Sequence, residues 1–172
     1  MKWFLCTQKL LKELNRPVGK LESASNAGGL GNWYVNLLVF QRRKHLLFTN
    51  EKTIYSFLVP EIFKEELKNI STLFLMHLAE HLRHEGISSH IVDLVLKEYK
   101  EVGFTKTANR QILGFMNDIA NQYECFIGAR GKTLDGYPLE MTAQINRSPM
   151  SAGKRHGFYP IERLKTLLHK CL

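Results

Sequence analysis

Cysteine is scarce in this chain, and its three copies, Cys6, Cys125 and Cys171, stand far apart with no paired spacing. An odd, scattered set of this kind excludes a disulfide framework. Cys6 and Cys125 lie in apolar surroundings and read as small packed hydrophobes. Long apolar runs are missing too. No stretch approaches the ~18 residues a bilayer span requires. The opening MKWFLCTQKLLKEL offers one early lysine and a four-residue apolar block before Thr7, too little for a secretory signal. The expectation is a cytoplasmic protein with no membrane partner.

Complete catalytic and cofactor signatures are also lacking. GARGKT (128–133) ends as a phosphate-binding loop does, but Phe126 stands where the first glycine belongs and Asp135-Gly136-Tyr137-Pro138 cannot continue a helix. GGLGNWY has Tyr34 in place of the third glycine of a dinucleotide fingerprint. SAGKRHG has Ser148 and Arg155 where the phosphate loop needs Gly and Ser/Thr. No cofactor is expected.

What is present suits one globular domain spanning residues 1–172, with 44% apolar residues to build a core and 23% charged residues to solvate it. The net charge is +8 and unevenly placed. Nine Lys/Arg face three acids in residues 1–59, eight face ten in 60–130, and seven face three in 131–172. Basic ends around a slightly acidic middle point to a basic face that attracts nucleic acid, a nucleotide or an acidic protein; the same charge also serves solubility alone.

Local patterns predict an α+β fold: an antiparallel sheet of four or five strands, packed with three long helices and a C-terminal amphipathic helix. KWFLC reads as a strand and Gln8 to Leu14 as a helix ended by Arg16-Pro17. Residues 18–32 are small and glycine-rich, a loop. Residues 33–59 hold three β-rich runs, WYVNLLVFQ, HLLFTN and TIYSFLV, separated by the short turns QRRK and NEK, which imply an antiparallel meander. The first run is apolar on both faces and belongs inside the sheet. Pro60 suits the first turn of a helix reaching His84, with Phe63, Leu67, Ile70, Phe74 and Leu78 on its buried stripe. A second helix carries Ile91, Leu94, Val95 and Tyr99, and GFTKT is a short strand. The third runs from Ala108 to Phe126. LEMTAQI is a candidate strand, and Pro160 starts the terminal helix.

Five polar features break the pattern that packing alone would write. His77-x-x-Glu80-His81 matches the string of inverted zinc peptidases, in which two histidines one helical turn apart share a zinc and the glutamate activates its water. His81, however, falls mid-stripe on the apolar side, where a hydrogen-bonded packing histidine is commoner, and no downstream carboxylate ligand can be placed. Next, the third helix sets Arg110, Gly114, Asn117 and Asn121, with Asp118 beside them, opposite its apolar face. Poor helix formers on a solvated face suggest either a ligand surface or hydrogen bonding to a neighbouring loop. The tip Gln41-Arg42-Arg43-Lys44-His45 gathers four potential cations that could grip phosphates or guard the hairpin against edge pairing. Lastly, Asn36 interrupts an apolar strand and demands specific partners if buried, while Phe48 to Thr53 is either a polar site or plain turn chemistry.

NWYVNLL, RRKHLLFTNEKTIYSFLVP and TKTANRQILGFMND, with CTQKLLKEL before them and INRSPM and YPIERLKTLL after, resemble a small bacterial family known only as a domain of unknown function, number 6933. The resemblance spans nearly the whole chain. It implies a bacterial cytoplasmic protein but no reaction, and HLAEH is not part of its pattern.

The leading expectation is a nucleic-acid- or nucleotide-directed module of a mobile-element or defence context. Arg42, Arg43, Lys44 and His45 would meet phosphates, and a polar site of Asn36, Thr49, Asn50, Glu51, Asn109, Arg110, Asn117 and Asp118 would supply directional hydrogen bonds. Whether it also cleaves is open; His45 beside Arg42 or Arg43 could act as the base of a metal-free ribonuclease. The rival is a protein-interaction module, an inhibitor or partner of an acidic protein. A zinc-dependent hydrolase through His77, Glu80 and His81 stands third.

Overall fold

A computed structural model of the protein describes residues 1–20, 28–130, 138–151 and 157–170. The end of GARGKT beyond Arg130, the Ala152–His156 part of SAGKRHG, residues 21–27 of the glycine-rich loop and Cys171 lie outside the described residues. The chain runs β1 (Lys2–Cys6), α1 (Gln8–Leu14), β2 (Trp33–Phe40), β3 (Arg43–Asn50), β4 (Ser56–Val59), a 3-10 turn (Glu66–Asn69), α2 (Ile70–His84), α3 (Ser89–Lys97), β5 (Val102–Lys106), α4 (Arg110–Arg130), α5 (Pro138–Asn146) and α6 (Pro160–Lys170).

Five strands form one sheet in the order β4-β3-β2-β1-β5. The meander of β2, β3 and β4 is antiparallel, as the short turns require. The sheet as a whole is not. Strand β1 lies between β2 and β5 and is parallel to both, with Phe4 opposite Trp33 on one side and Phe104 on the other. The expectation of a purely antiparallel sheet is therefore corrected to a mixed one. Parallel neighbours need crossover connections and carry no hairpin signature that a sequence could display.

Alternation along β2 sends Trp33, Val35 and Leu37 to one apolar cluster and Tyr34, Leu38 and Phe40 to the other. Helices cover both faces, so an apolar residue pays at nearly every position of this strand. On the first face, with α1, α2, α3 and α6, Phe74 sits at the centre of an aromatic cluster. Its ring centroid lies 4.9 Å from Phe4, 5.3 Å from Trp33, 5.2 Å from Phe48, 5.9 Å from Phe57 and 5.1 Å from Tyr99. The Trp33 indole donates to the Tyr99 hydroxyl at 2.9 Å, and that hydroxyl donates to the Gly31 carbonyl at 2.8 Å, so these two polar groups of the core are satisfied in series. On the second face Ile112, Met116, Ile119, Tyr123 and Ile127 of α4 pack with Met141 and Ile145 of α5.

Three further expectations change. LEMTAQI forms α5 rather than a strand: Pro138 occupies its first turn, and Met141, Thr142, Ile145 and Asn146 are its buried side. The described residues thus hold six α-helices: the short α1, three further helices and the terminal one were expected, and α5 was not. The helix anticipated from Pro60 begins only at Ile70, after an irregular segment and the 3-10 turn, and Phe63 is 74% exposed instead of buried. Cys6 is buried as expected, whereas Cys125 is exposed on α4.

Both sheet edges take hydrogen bonds from outside the sheet. At β4 the Ser56 N–H donates to Asn146 Oδ1 at 2.9 Å, and the Leu58 backbone hydrogen-bonds the Tyr123 hydroxyl. At β5 the Gly19 N–H donates to the Phe104 carbonyl at 2.8 Å. Some of the pairing sites that could recruit another strand are thus taken by side chains and by the chain itself.

Candidate functional site

Strands β2 and β3 meet in the two-residue turn Gln41–Arg42, with φ of 49° and 65°. Positive φ at both central residues is a type I′ turn, whose twist matches that of the flanking strands. The four cations expected at this tip then part company. Arg43 is ion-paired with Glu61, and Lys44 Nζ lies 3.0 Å from Glu13 Oε1. His45 is buried at 1% exposure; its Nδ1 accepts the Glu61 N–H at 3.1 Å, and its ring packs on Phe40 at 5.3 Å. Burial lowers its pKa, so the ring is a neutral structural acceptor and does not project from the tip as a base. Arg42 is exposed and takes part in none of the ion pairs among the described residues.

Beside the tip opens a cleft of about 500 Å³ lined by Arg42, Arg43, Lys44 and Lys64, with Glu61, Ile62 and Phe63. Phe63 and Lys64 are new to the site, and the backbone explains how they reach it. Glu61 takes φ 50°, which no helix accommodates. Its N–H is held by His45, and the Ile62 N–H donates to the Lys44 carbonyl at 2.8 Å. Ile62 anchors in the first core, so the next residue, Phe63, faces outward. The Phe63 N–H donates to Glu66 Oε2 at 2.6 Å, which fixes the shelf from its far side.

The turn after β3 has a different character. Asn50 is wholly buried; its Oδ1 accepts from Lys52 N at 3.1 Å, Thr53 N at 3.0 Å and Thr53 Oγ1 at 3.0 Å, while its Nδ2 donates to the Leu30 carbonyl at 2.8 Å. Thr49 pairs with Ser56 at 2.9 Å, and Glu51 Oε1 accepts the Asn32 N–H at 2.9 Å. Thr49, Asn50 and Glu51 thus hold the turn together and dock the Leu30–Asn32 segment beneath it. Ile54, a β-branched residue at φ 62°, shows how firmly the turn is imposed.

Asn36 is half-buried on the α4 side of the sheet, and its Oδ1 accepts from Thr7 Oγ1 at 3.0 Å. On the same face the buried Tyr34 hydroxyl meets the backbone of Asn109 and Ala108; its pKa is raised, chiefly by burial. Asn109 Oδ1 caps α4 by accepting from Gln111 N at 2.9 Å and Ile112 N at 3.3 Å. Arg110, Asn117, Asp118 and Asn121 are exposed on the outer side of α4, and a Cβ added at Gly114 would meet nothing within 4 Å. Among the described residues that stripe has no opposing wall. Because α4 covers the face opposite Ile62 and α2, the stripe and the hairpin cleft do not come together. The residues of the expected polar site fall into three places: Asn36 and Asn109 on the α4 face of the sheet, Thr49, Asn50 and Glu51 in the turn after β3, and Arg110, Asn117 and Asp118 on the outside of α4.

His77, Glu80 and His81 do not form a common pocket. His77 Nδ1 is 3.7 Å from Glu80 Oε2, whereas His81 is 1% exposed with its ring 5.1 Å from Phe57. Its packing role was expected but its hydrogen bonding was not found: neither ring nitrogen has a partner, and burial takes its pKa down to about 3. Among the described residues no group of three or more His, Cys, Asp or Glu is placed to hold a metal ion. A second cleft of about 500 Å³ runs along α6 between Lys52, Thr53 and Phe158, where the Arg163 guanidinium lies 3.4 Å over the Phe158 ring. Its lining is less strongly basic than that of the hairpin cleft.

No helix among the described residues is long and apolar enough to cross a membrane. Residues 4–163 match the model of a family described as a domain of unknown function (DUF6933). No curated protein matches the chain.

Proposed function

The chain belongs to the DUF6933 family, and from its site we propose that it binds nucleic acid or nucleotides through the hairpin cleft, with phosphates as the primary contact. The observation that carries this reading is the cleft's charge. Four of its seven lining residues are cations, and its one acid, Glu61, is already paired with Arg43. Arg42, presented by a type I′ turn, and Lys64, beside the outward-facing Phe63, are the best placed for a phosphate backbone. Arg43 and Lys44 fix the walls through their ion pairs with Glu61 and Glu13, so the net positive charge of the cleft rests on Arg42 and Lys64. The α4 stripe has no part in this binding.

Affinity for a labelled oligonucleotide, followed by anisotropy across a salt series, tests the proposal. Binding is expected to fall steeply with salt, and Arg42→Ala with Lys64→Ala is expected to flatten the log–log slope by roughly 0.7 per contact removed on single strands. Failure of the intact protein to bind RNA or DNA at low salt would sink the reading.

A further inference from the structure

Resting on that reading, we propose that Phe63 is a stacking platform for one unpaired base, which makes the hairpin cleft a site for single-stranded rather than duplex nucleic acid. Three observations converge on it. Phe63 is 74% exposed, in a structure whose other phenylalanines are largely buried in the two cores or packed against them. Leaving a large aromatic ring in water is unfavourable and does nothing for the fold. The backbone that carries it is nonetheless held in place: the Glu61 and Ile62 N–H groups donate to His45 and the Lys44 carbonyl on one side, and the Phe63 N–H donates to Glu66 on the other. A fixed main chain leaves only the side-chain torsions of Phe63 to be ordered on binding.

The third observation is what surrounds it. The ring shares its cleft with Arg42, Arg43, Lys44 and Lys64. An aromatic face set among cations is the arrangement by which single strands are held: the bases stack and the backbone tracks the charge. A duplex offers the cleft its phosphates, but its base faces are already stacked and are reached only by prying a step open. An acidic peptide would satisfy the cations and leave the ring without a flat partner. The volume of about 500 Å³ falls in the range of sites for small molecules, enough to enclose a single nucleotide unit of a longer strand.

The experiment compares wild type, Phe63→Ala, Phe63→Trp and Arg42→Ala on three fluorescein-labelled probes at low salt. These are a mixed-sequence single strand, an abasic strand with the same phosphates, and the duplex. Wild type is expected to prefer the base-containing single strand. Phe63→Ala should weaken that complex roughly 5- to 150-fold, the worth of one base stack, and leave the abasic complex unchanged. Phe63→Trp should retain affinity and show quenched indole emission on binding. Arg42→Ala should weaken both strands. If Phe63→Ala binds the intact and abasic strands as wild type does, the stacking platform is overturned while phosphate binding stands. If wild type binds none of the probes, both fall together. Because Phe63 is exposed, unchanged thermal unfolding of its variants confirms that the comparison reads binding rather than folding.

Discussion

Asn146 completes β4 as a neighbouring strand would: its Oδ1 accepts the Ser56 N–H at 2.9 Å and its Nδ2 donates to the Ser56 carbonyl at 2.7 Å. Two residues that exchange both bonds are the repeating unit of an antiparallel ladder, and here one member is a side-chain amide. A third bond, from Nδ2 to the Thr142 carbonyl at 2.8 Å, fixes the rotamer on α5. The adjacent Arg147 forms a two-pronged ion pair with the buried Glu85 at the end of α2, 3.0 and 2.6 Å. Residues 146 and 147 thereby tie α5 to the sheet and to α2.

Asn146→Ala is accordingly expected to destabilise the fold by about 2–4 kcal/mol, because it strands the buried backbone of Ser56. Asn146→Asp should be no better, since it keeps the acceptor but turns a negative oxygen toward two carbonyls. Chemical denaturation of both variants measures this, and a loss below about 1 kcal/mol for either would contradict the account.

Acid should unfold this protein partly through His81. Burial holds its folded pKa at about 3 against an ordinary 6.5, so the unfolded chain takes up the proton first. This contribution is complete above pH 6.5 and is lost as pH falls from there toward 3, by up to about 1.4 kcal/mol per pH unit. His45 and His77, whose pKa values burial also lowers, act in the same direction. His81→Phe should shallow this acid limb. It should also stabilise the neutral-pH fold by about 1–3 kcal/mol, since it removes two buried nitrogens without partners. Urea midpoints across the pH range decide it; an unchanged limb in the variant would assign the effect to other groups.

Gly114→Ala is expected to raise the melting temperature, with a gain of up to about 1 kcal/mol from helix propensity. The added methyl meets open space, so nothing offsets the gain. Oligonucleotide affinity should not change, because α4 lies across the sheet from the hairpin cleft. A lowered melting temperature, or lost binding, would reinstate the α4 stripe as a contact surface.

Gly103→Ala should do the opposite. A Cβ there would stand 2.5 Å from the Trp3 ring, and one at Gly19 would stand 2.7 Å from the same indole. A ring clasped between two glycine backbones cannot slide aside, and a loss of about 1–3 kcal/mol is expected. Gly128→Ala, where an added Cβ meets nothing, is the control for thermal unfolding.

The parts of the fold legible in the sequence are those written in local chemistry. The meander declares itself because QRRK and NEK are too short for anything but reversals, and the helix α4 because Ile112, Met116, Ile119 and Tyr123 recur at helical spacing. The pairing of β1 with β5 is written nowhere locally. In LEMTAQI alternation outweighs the quieter signal of Pro138 at a helix start. At the candidate site the hairpin cations are legible but their ion pairs are not, since Glu13 and Glu61 come from other elements. Phe63 is the instructive miss. Its spacing from Leu67 and Ile70 is that of a core stripe, and only the left-handed backbone at Glu61 turns it outward.

Strand β1 has one more consequence, which concerns the growing chain. The meander closes over connections of two and five residues and can form as soon as Val59 is available. Strand β1 emerges from the ribosome first, yet Lys2 must wait for Val102 and Cys6 for Lys106 before its second side is paired. Distant pairings of this kind are slow to form, and unpaired strand edges are where nascent chains go astray. The order of manufacture runs against the order of closure, and the bare side of β1 is the stretch most in need of shelter until β5 arrives.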